Sequence, residues 1–205
     1  TFYTPAIAPP TVVDVERSFS DVSPQAALAY RFTPGRAVYV SVGRGFKAGG
    51  FNAASPAGSE AYGEEHAWSV EVGLKTAWAN GRLSANVAMF RIDWDDMQLN
   101  VPNPFVPAQF YIANVGGARS SGVEFELNAR PRPGVDLVAA VGVTRAHFGS
   151  GSMWGGVDVS GNGLPNAPGY TVSLGAQYSR KLGAASGCYG RADVVFYGAY
   201  HYDEA

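Results

Sequence analysis

The stretch WSVEVGLKTAW, residues 68–78, decides how this chain is read. Trp68 and Trp78 bracket one face on which Val70, Val72, Leu74 and Thr76 lie, while Ser69, Glu71, Gly73 and Lys75 lie on the other. Strict alternation of this kind marks a β-strand with two unlike faces. A water-soluble sheet needs the alternation but has no use for an aromatic at each end of its apolar face. On this strand alone, two core tryptophans of a β-sandwich would read equally well.

The same alternation recurs on both sides of this stretch, and helical periodicity is hard to find. Strands are expected at about 20–32, 37–46, 67–78, 82–99, 116–130, 135–148, 168–180 and 188–201, after a Pro-rich loop over 1–18. In the fifth, Val123, Phe125, Leu127 and Ala129 oppose Glu124, Glu126, Asn128 and Arg130; in the seventh, Tyr170, Val172, Leu174, Ala176 and Tyr178 share one face. One strand changes phase. Leu83, Ala85, Val87 and Met89 hold one face, then Phe90, Ile92 and Trp94 hold the other. A β-bulge near Met89 would reconcile the two, and so would a strand that leaves its apolar surroundings there.

The connections carry as much information. Short turns (TPGR 33–36, ANG 79–81, PRPG 131–134, KLGAASG 181–187) alternate with long loops at about 47–66, 100–115 and 149–167. In an up-and-down meander this sorts the short turns to one end and the long loops to the other, as in outer-membrane barrels. Greek-key sandwiches do not sort their connections in this way.

Strand length points the same way. These runs reach or exceed the ~9–11 residues that a tilted strand needs to span a bilayer, whereas soluble strands are mostly ~5–6 residues long. Ten residues from Trp68 to Trp78 rise about 33 Å, or roughly 23 Å along the normal at a ~45° tilt. That matches an apolar band ~25 Å tall between two aromatic girdles. Tyr170 and Tyr178 form a shorter pair, about 19 Å by the same conversion. Trp68, Trp78, Tyr170 and Tyr178 are thus the expected lipid-interface aromatics, and Glu71, Lys75, Glu124, Glu126 and Arg130 the expected lumen-facing charges.

Composition narrows the class. The 205 residues include 26 Gly, 13% aromatics and only 16% charged residues, with a net charge of −2. Ordinary soluble domains carry about 25% charged residues. There is no basic footprint for nucleic acid, and no run reaches the ~18 apolar residues of a transmembrane helix. A chain that opens on TFYTPAIAPP and stops at HYDEA after a strand-like run is expected to be an internal piece of a longer protein.

Several of these segments resemble the barrel of TonB-dependent outer-membrane receptors. SPQAALAYRFTPGRAVYVSVGRGFKAGGFN (23–52) is similar to that family's strand–turn–strand with a Gly-Gly-Phe loop. EVGLKTAWANGRLSANVAMFRIDWDDMQL (71–99) resembles its E-x-G-x-K…F…D…Q hairpin, and NVGGARSSGVEFELNARPRPGVDL (114–137) its N-x-G…G-x-E-x-E strand and turn. LPNAPGYTVSLGAQY (164–178) resembles a further strand start. The likeness runs over about residues 20–204. It implies about eight strands of a twenty-two-stranded transmembrane barrel, all-β and antiparallel, whose plug domain is not within this chain. It further implies outer-membrane lipid, the plug and, through it, TonB as partners, and a ferric siderophore or similar scarce nutrient as cargo.

Enzymatic chemistry finds little support. Gly43-Arg-Gly45-Phe-Lys-Ala48 formally fits a dinucleotide motif, but Gly49, Gly50 and Pro56 follow where a helix is required. Asp93/Asp95/Asp96 and Glu64/Glu65/His66 lack EF-hand spacing, the three histidines lack zinc-ligand spacing, and no cofactor is expected. Ligand contacts belong to the long loops, where aromatics mix with amides: Phe105, Gln109, Tyr111 and Trp154 are the candidates. Two other readings stand beside the receptor: a complete eight-stranded barrel with a structural or adhesion role, and a soluble all-β binding module.

Overall fold

The computed structural model describes residues 15–202, so residues 1–14 of the expected opening loop lie outside it. Among the described residues fourteen strands form in chain order. Eight long ones build one sheet: β1 (Gln25–Thr33), β2 (Arg36–Lys47), β5 (Glu65–Trp78), β6 (Leu83–Asp95), β9 (Ala118–Ala129), β10 (Val135–Phe148), β13 (Tyr170–Lys181) and β14 (Gly187–Tyr197). Six short ones form three hairpins, β3 (Gly50–Phe51) with β4 (Ala61–Tyr62), β7 (Gln98–Pro102) with β8 (Phe110–Asn114), and β11 (Met153–Trp154) with β12 (Val157–Asp158). Every pairing is antiparallel, and the long strands stand in sequence order, each beside its predecessor.

The turns explain the sorting of connections. Gly35, Gly81 and Gly134 adopt φ of 78°, 79° and 82°, where residues with a Cβ are strained. Ala79 and Asn80 accept the same left-handed region at φ 51° and 55° to close β5 onto β6. All four short turns lie at one end of the sheet. At the other end each long connection contains one of the three hairpins.

One expectation changes here, and of two open alternatives one is removed. The run 82–99 is not one strand: β6 ends at Asp95, Asp96 turns the chain at φ 54°, and β7 starts a separate hairpin at Gln98. The phase change needs no bulge, because β6 keeps unbroken register with β5 and with β9 through Leu83–Trp94. Met89 is simply the last apolar residue on its face. Beyond it that face carries Arg91 and Asp93, and the other face carries Phe90, Ile92 and Trp94.

Burial shows where the protein keeps its core. Along the span of the sheet the apolar face is left uncovered: Leu28 is 71% exposed, Met89 59% and Val143 56%. Register places Leu28, Val40, Val72, Met89, Val123, Val143 and Leu174 on a common face. A soluble sheet must bury such a face, and an exposed apolar surface of this extent marks an interaction site. The buried apolar residues Val101, Val115, Ala118, Phe148 and Val159 gather instead at the loop end. Trp94, Met97, Tyr111, Trp154 and Leu164 pack around them.

Candidate functional site

Three parts of the molecule have functional geometry: an apolar face, a polar face, and the loop cluster above them. On the apolar face Trp68 and Trp78 are 43% and 37% exposed, and Tyr170 and Tyr178 stand at similar positions on β13. Arg36 lies 5.8 Å from the Trp78 ring, a cation over an aromatic face at the turn end. Glu71, Lys75, Glu124, Glu126 and Arg130 fall on the opposite face by strand alternation.

There the Glu-x-Gly-x-Lys run acquires a reason. Tyr39 on β2 pairs with Gly73. Its hydroxyl donates to Glu71 Oε1 at 2.5 Å, and Lys75 Nζ lies 5.1 Å from its ring centre. A Cβ on Gly73 would meet that ring, with Cζ 2.5 Å and Oη 2.6 Å away. Glu71, Gly73 and Lys75 therefore form a seat for one neighbouring tyrosine. Gly73→Ala is expected to cost about 1–3 kcal/mol by overpacking, and close to nothing when Tyr39 is already Ala. Unfolding in detergent of the two single variants and the double variant checks this; an equal cost in both backgrounds would contradict it. Phe90 lies over Gly122 in the same way on β9, its ring carbons 2.8 Å from where a Cβ would stand. Asn86 donates to Glu126 at 3.3 Å, and Arg130 to Asp136 at 2.8 Å.

Above the sheet three amides join the first long loop to the second. Asn52 donates to Ile112 O at 2.9 Å and accepts from Ile112 N at 2.9 Å. Gln98 donates to Ala48 O and Gly63 O at 3.0 and 2.9 Å. Asn114 accepts from Gly63 N at 2.6 Å and donates to Asp96 O at 2.8 Å. Reading the sequence for ligand contacts passes over these three, although each falls in a stretch quoted for the family resemblance. The third loop joins through Met153 N to Val115 O at 2.8 Å and Ser152 Oγ to Gly117 O at 2.9 Å.

The candidate ligand-contact residues divide within this cluster. Tyr111 packs on the loop core. Trp154 does too, and its Nε1 donates to Asn100 O at 2.9 Å. Gln109 accepts from Asn103 Nδ2 at 2.5 Å. Phe105 stands 79% exposed at the tip of the β7–β8 hairpin, and Phe110, which the sequence reading left out, is 57% exposed beside it. Each acidic run has a carboxylate already engaged: Asp93 accepts from Arg91 and Arg119, and Glu65 accepts from Gln98 N at 2.7 Å. Ahead of β1, the Arg44 guanidinium holds the Asp21 carboxyl below its usual range. In the third loop, hydrogen bonds from Ser160 do the same for Asp158.

An open meander with an exposed apolar face, bracketing aromatics and loops sorted to one end defines a piece of transmembrane β-barrel wall. The sequence profile of the family described as "TonB dependent receptor-like, beta-barrel" matches residues 3–205, and the chain belongs to that family, whose barrels lie in the Gram-negative outer membrane. Solved structures agree. The chain is similar to the ferric yersiniabactin uptake receptor FyuA from Yersinia pestis, at 25% identity and a TM-score of 0.71, covering 88% of this chain and 26% of that one. It shares its fold with the ferric preacinetobactin receptor BauA from Acinetobacter baumannii (21% identity, TM-score 0.58, 78% and 23% covered). The same holds for the ferripyoverdine receptor of Pseudomonas aeruginosa (20%, 0.56, 79% and 21%). The chain spans about a quarter of the length of these receptors.

Proposed function

We propose that this chain is part of the wall of an outer-membrane receptor that takes up a ferric siderophore with energy supplied through TonB. The observation that carries the reading is the apolar face of the sheet, largely exposed along its span, beneath loops that bury a core of their own. Strands β1 and β14 do not pair with each other, so the eight strands form an open arc. This disfavours the small closed barrel, and the exposed apolar face disfavours the soluble module.

In this reading the short turns face the periplasm and the long loops the cell exterior. The polar face lines the lumen, where a plug domain sits against Glu71, Lys75, Glu124, Glu126 and Arg130. The loop cluster offers Phe105 and Phe110 to the ligand, while Gln109, Tyr111 and Trp154 hold that surface in shape. The protein works by capture and passage, with no catalytic residue.

Uptake of radiolabelled ferric siderophores by the full-length gene product in iron-starved cells tests the proposal. Uptake that requires TonB is expected; a panel of chelates with none transported would contradict it. Phe105→Ala is expected to weaken ligand binding about tenfold, about 1.4 kcal/mol, without changing barrel stability. Unchanged affinity would remove Phe105 from the contact surface.

A further inference from the structure

The apolar face ends in a basic row. Register sets Arg91 on β6 opposite Ser121 on β9, and Ser121 opposite Arg145 on β10. One row nearer the turns lie Met89, Val123 and Val143; one row nearer the loops lie Asp93, Arg119 and His147. Asp93 accepts from Arg91 Nε at 2.6 Å and Nη2 at 3.0 Å, and from Arg119 Nε at 2.6 Å. One carboxylate therefore orients two guanidiniums. Arg145 is exposed and forms no ion pair among the described residues. Asp95, a further row towards the loops and opposite His66, is the next carboxylate on this face. Three arginines against Asp93 leave these two rows with a charge of +2 (3 − 1).

The height of this row on the membrane follows from the aromatics. Trp68 on β5 pairs with Asp93, and Tyr170 on β13 pairs with Val143. From β5 to β13 the aromatic girdle thus descends two rows over four strand steps, as tilted strands require. Between them it crosses β6, β9 and β10 at Arg91, Ser121 and Arg145. Girdle aromatics sit at the level of lipid headgroups, so these residues face headgroups. Strands lie about 4.8 Å apart, which puts the Arg91 and Arg145 backbones about 10 Å from each other across a serine hydroxyl. Two forked guanidiniums flanking a hydroxyl suit a phosphate group. The apolar surface continues directly below through Met89, Val123 and Val143, where the acyl chains of the same molecule would lie. Above, a cleft of about 610 Å³ lined by Asp93, Asp95, Arg119, His147, Ser150 and Ser160 leaves room for the rest of a headgroup. His147 Nδ1 is buried there without a hydrogen-bond partner among the described residues.

We propose that Arg91, Ser121 and Arg145, backed by Arg119, bind the phosphate-bearing headgroup of an outer-leaflet lipid. The proposal rests on the membrane reading given under Proposed function. The continuous apolar surface favours a lipid over free phosphate.

The test uses the full-length gene product in a non-ionic detergent. Retention of phosphatidic acid is compared with that of a diacylglycerol of the same chains by native mass spectrometry. Wild type is expected to retain the phosphate lipid preferentially. The Arg91→Gln/Arg145→Gln double variant should lose about 30-fold in that preference, since each interfacial arginine contributes about one kcal/mol. An Arg91→Lys/Arg145→Lys variant keeps the charge and should keep part of the preference, which separates lost binding from lost folding. Equal retention of the two lipids by wild type, or an unchanged preference in the Gln variant, overturns the proposal. Displacement of phosphatidic acid by inorganic phosphate also overturns it, by making the site one for free phosphate. Flotation with phosphatidylcholine vesicles separates the two levels. Protein that inserts but does not discriminate refutes the lipid site alone, and protein that fails to insert refutes the membrane reading and this site with it.

Discussion

Leu74→Arg destabilises the barrel in lipid vesicles by about 2–4 kcal/mol, the cost of a guanidinium at the bilayer midplane. Leu74 lies six residues from Trp68 and four from Trp78, between Val38 on β2 and Val87 on β6. Its neighbours are therefore apolar in both directions across the sheet, and no carboxylate on this face lies close enough to pair with an arginine at 74. Ser69→Arg, on the opposite face, stays in contact with water and costs less than about 1 kcal/mol. Urea unfolding of both variants in vesicles measures the difference. If Ser69→Arg were the more costly of the two, the assignment of faces would be inverted.

Phe148→Ala acts elsewhere and costs about 3–5 kcal/mol, the range for removing a buried aromatic side chain. Phe148 is 1% exposed at the end of β10, against Val101 and Val115 of the second long loop and Val159 of the third. Its N–H donates to Asn162 O at 2.9 Å, and its carbonyl accepts from Gly161 N at 3.1 Å. These backbone contacts survive the substitution, but the apolar filling between the two loops does not. The loss is local, because the strands below are paired independently of it. Hydrogen exchange is expected to accelerate over residues 97–116 and 149–164 while β5 and β6 keep their protection. Ligand capture would fall with the barrel wall intact. Uniform loss of protection across the sheet would show that the loop core and the wall form one cooperative unit.

These two variants probe parts of the molecule that differ in how far the sequence discloses them. The wall is legible because a strand has a period of two and its faces meet different media. Trp68, Val70, Val72, Leu74 and Trp78 report lipid within eleven consecutive residues, and no partner needs to be known. The phase change at Met89 is visible but ambiguous, since a bulge and a strand leaving the bilayer produce the same local pattern. Only pairing with β5 and β9 separates them, and those partners are distant in sequence. Glu71, Gly73 and Lys75 stand out as a motif, yet their common object, Tyr39, is on another strand.

The loop cluster is the least legible part. Val101, Val115, Phe148 and Val159 share no periodicity and meet only after three connections fold together. Tyr111 and Trp154 look like ligand contacts for the general reason that they are loop aromatics, and both pack into that core. Asn52, Gln98 and Asn114 look like ordinary polar loop residues, and they join one loop to the next. Exposed Phe105 differs from half-buried Trp154 through tertiary packing, and nothing local in either stretch distinguishes them.

The central claim is that the Trp68 face meets lipid while the face bearing Trp94 does not. Variants of the intact barrel with one tryptophan each, at 68, 78 or 94, and phenylalanine in place of every other tryptophan of the full-length protein, can be reconstituted with lipids brominated at chosen acyl depths. Strong quenching of Trp68 and Trp78 by shallow bromines, weak quenching by deep ones, and none of Trp94 is the expected result. Quenching of Trp68 and Trp78 by aqueous iodide, with no response to brominated lipid at any depth, would contradict the account.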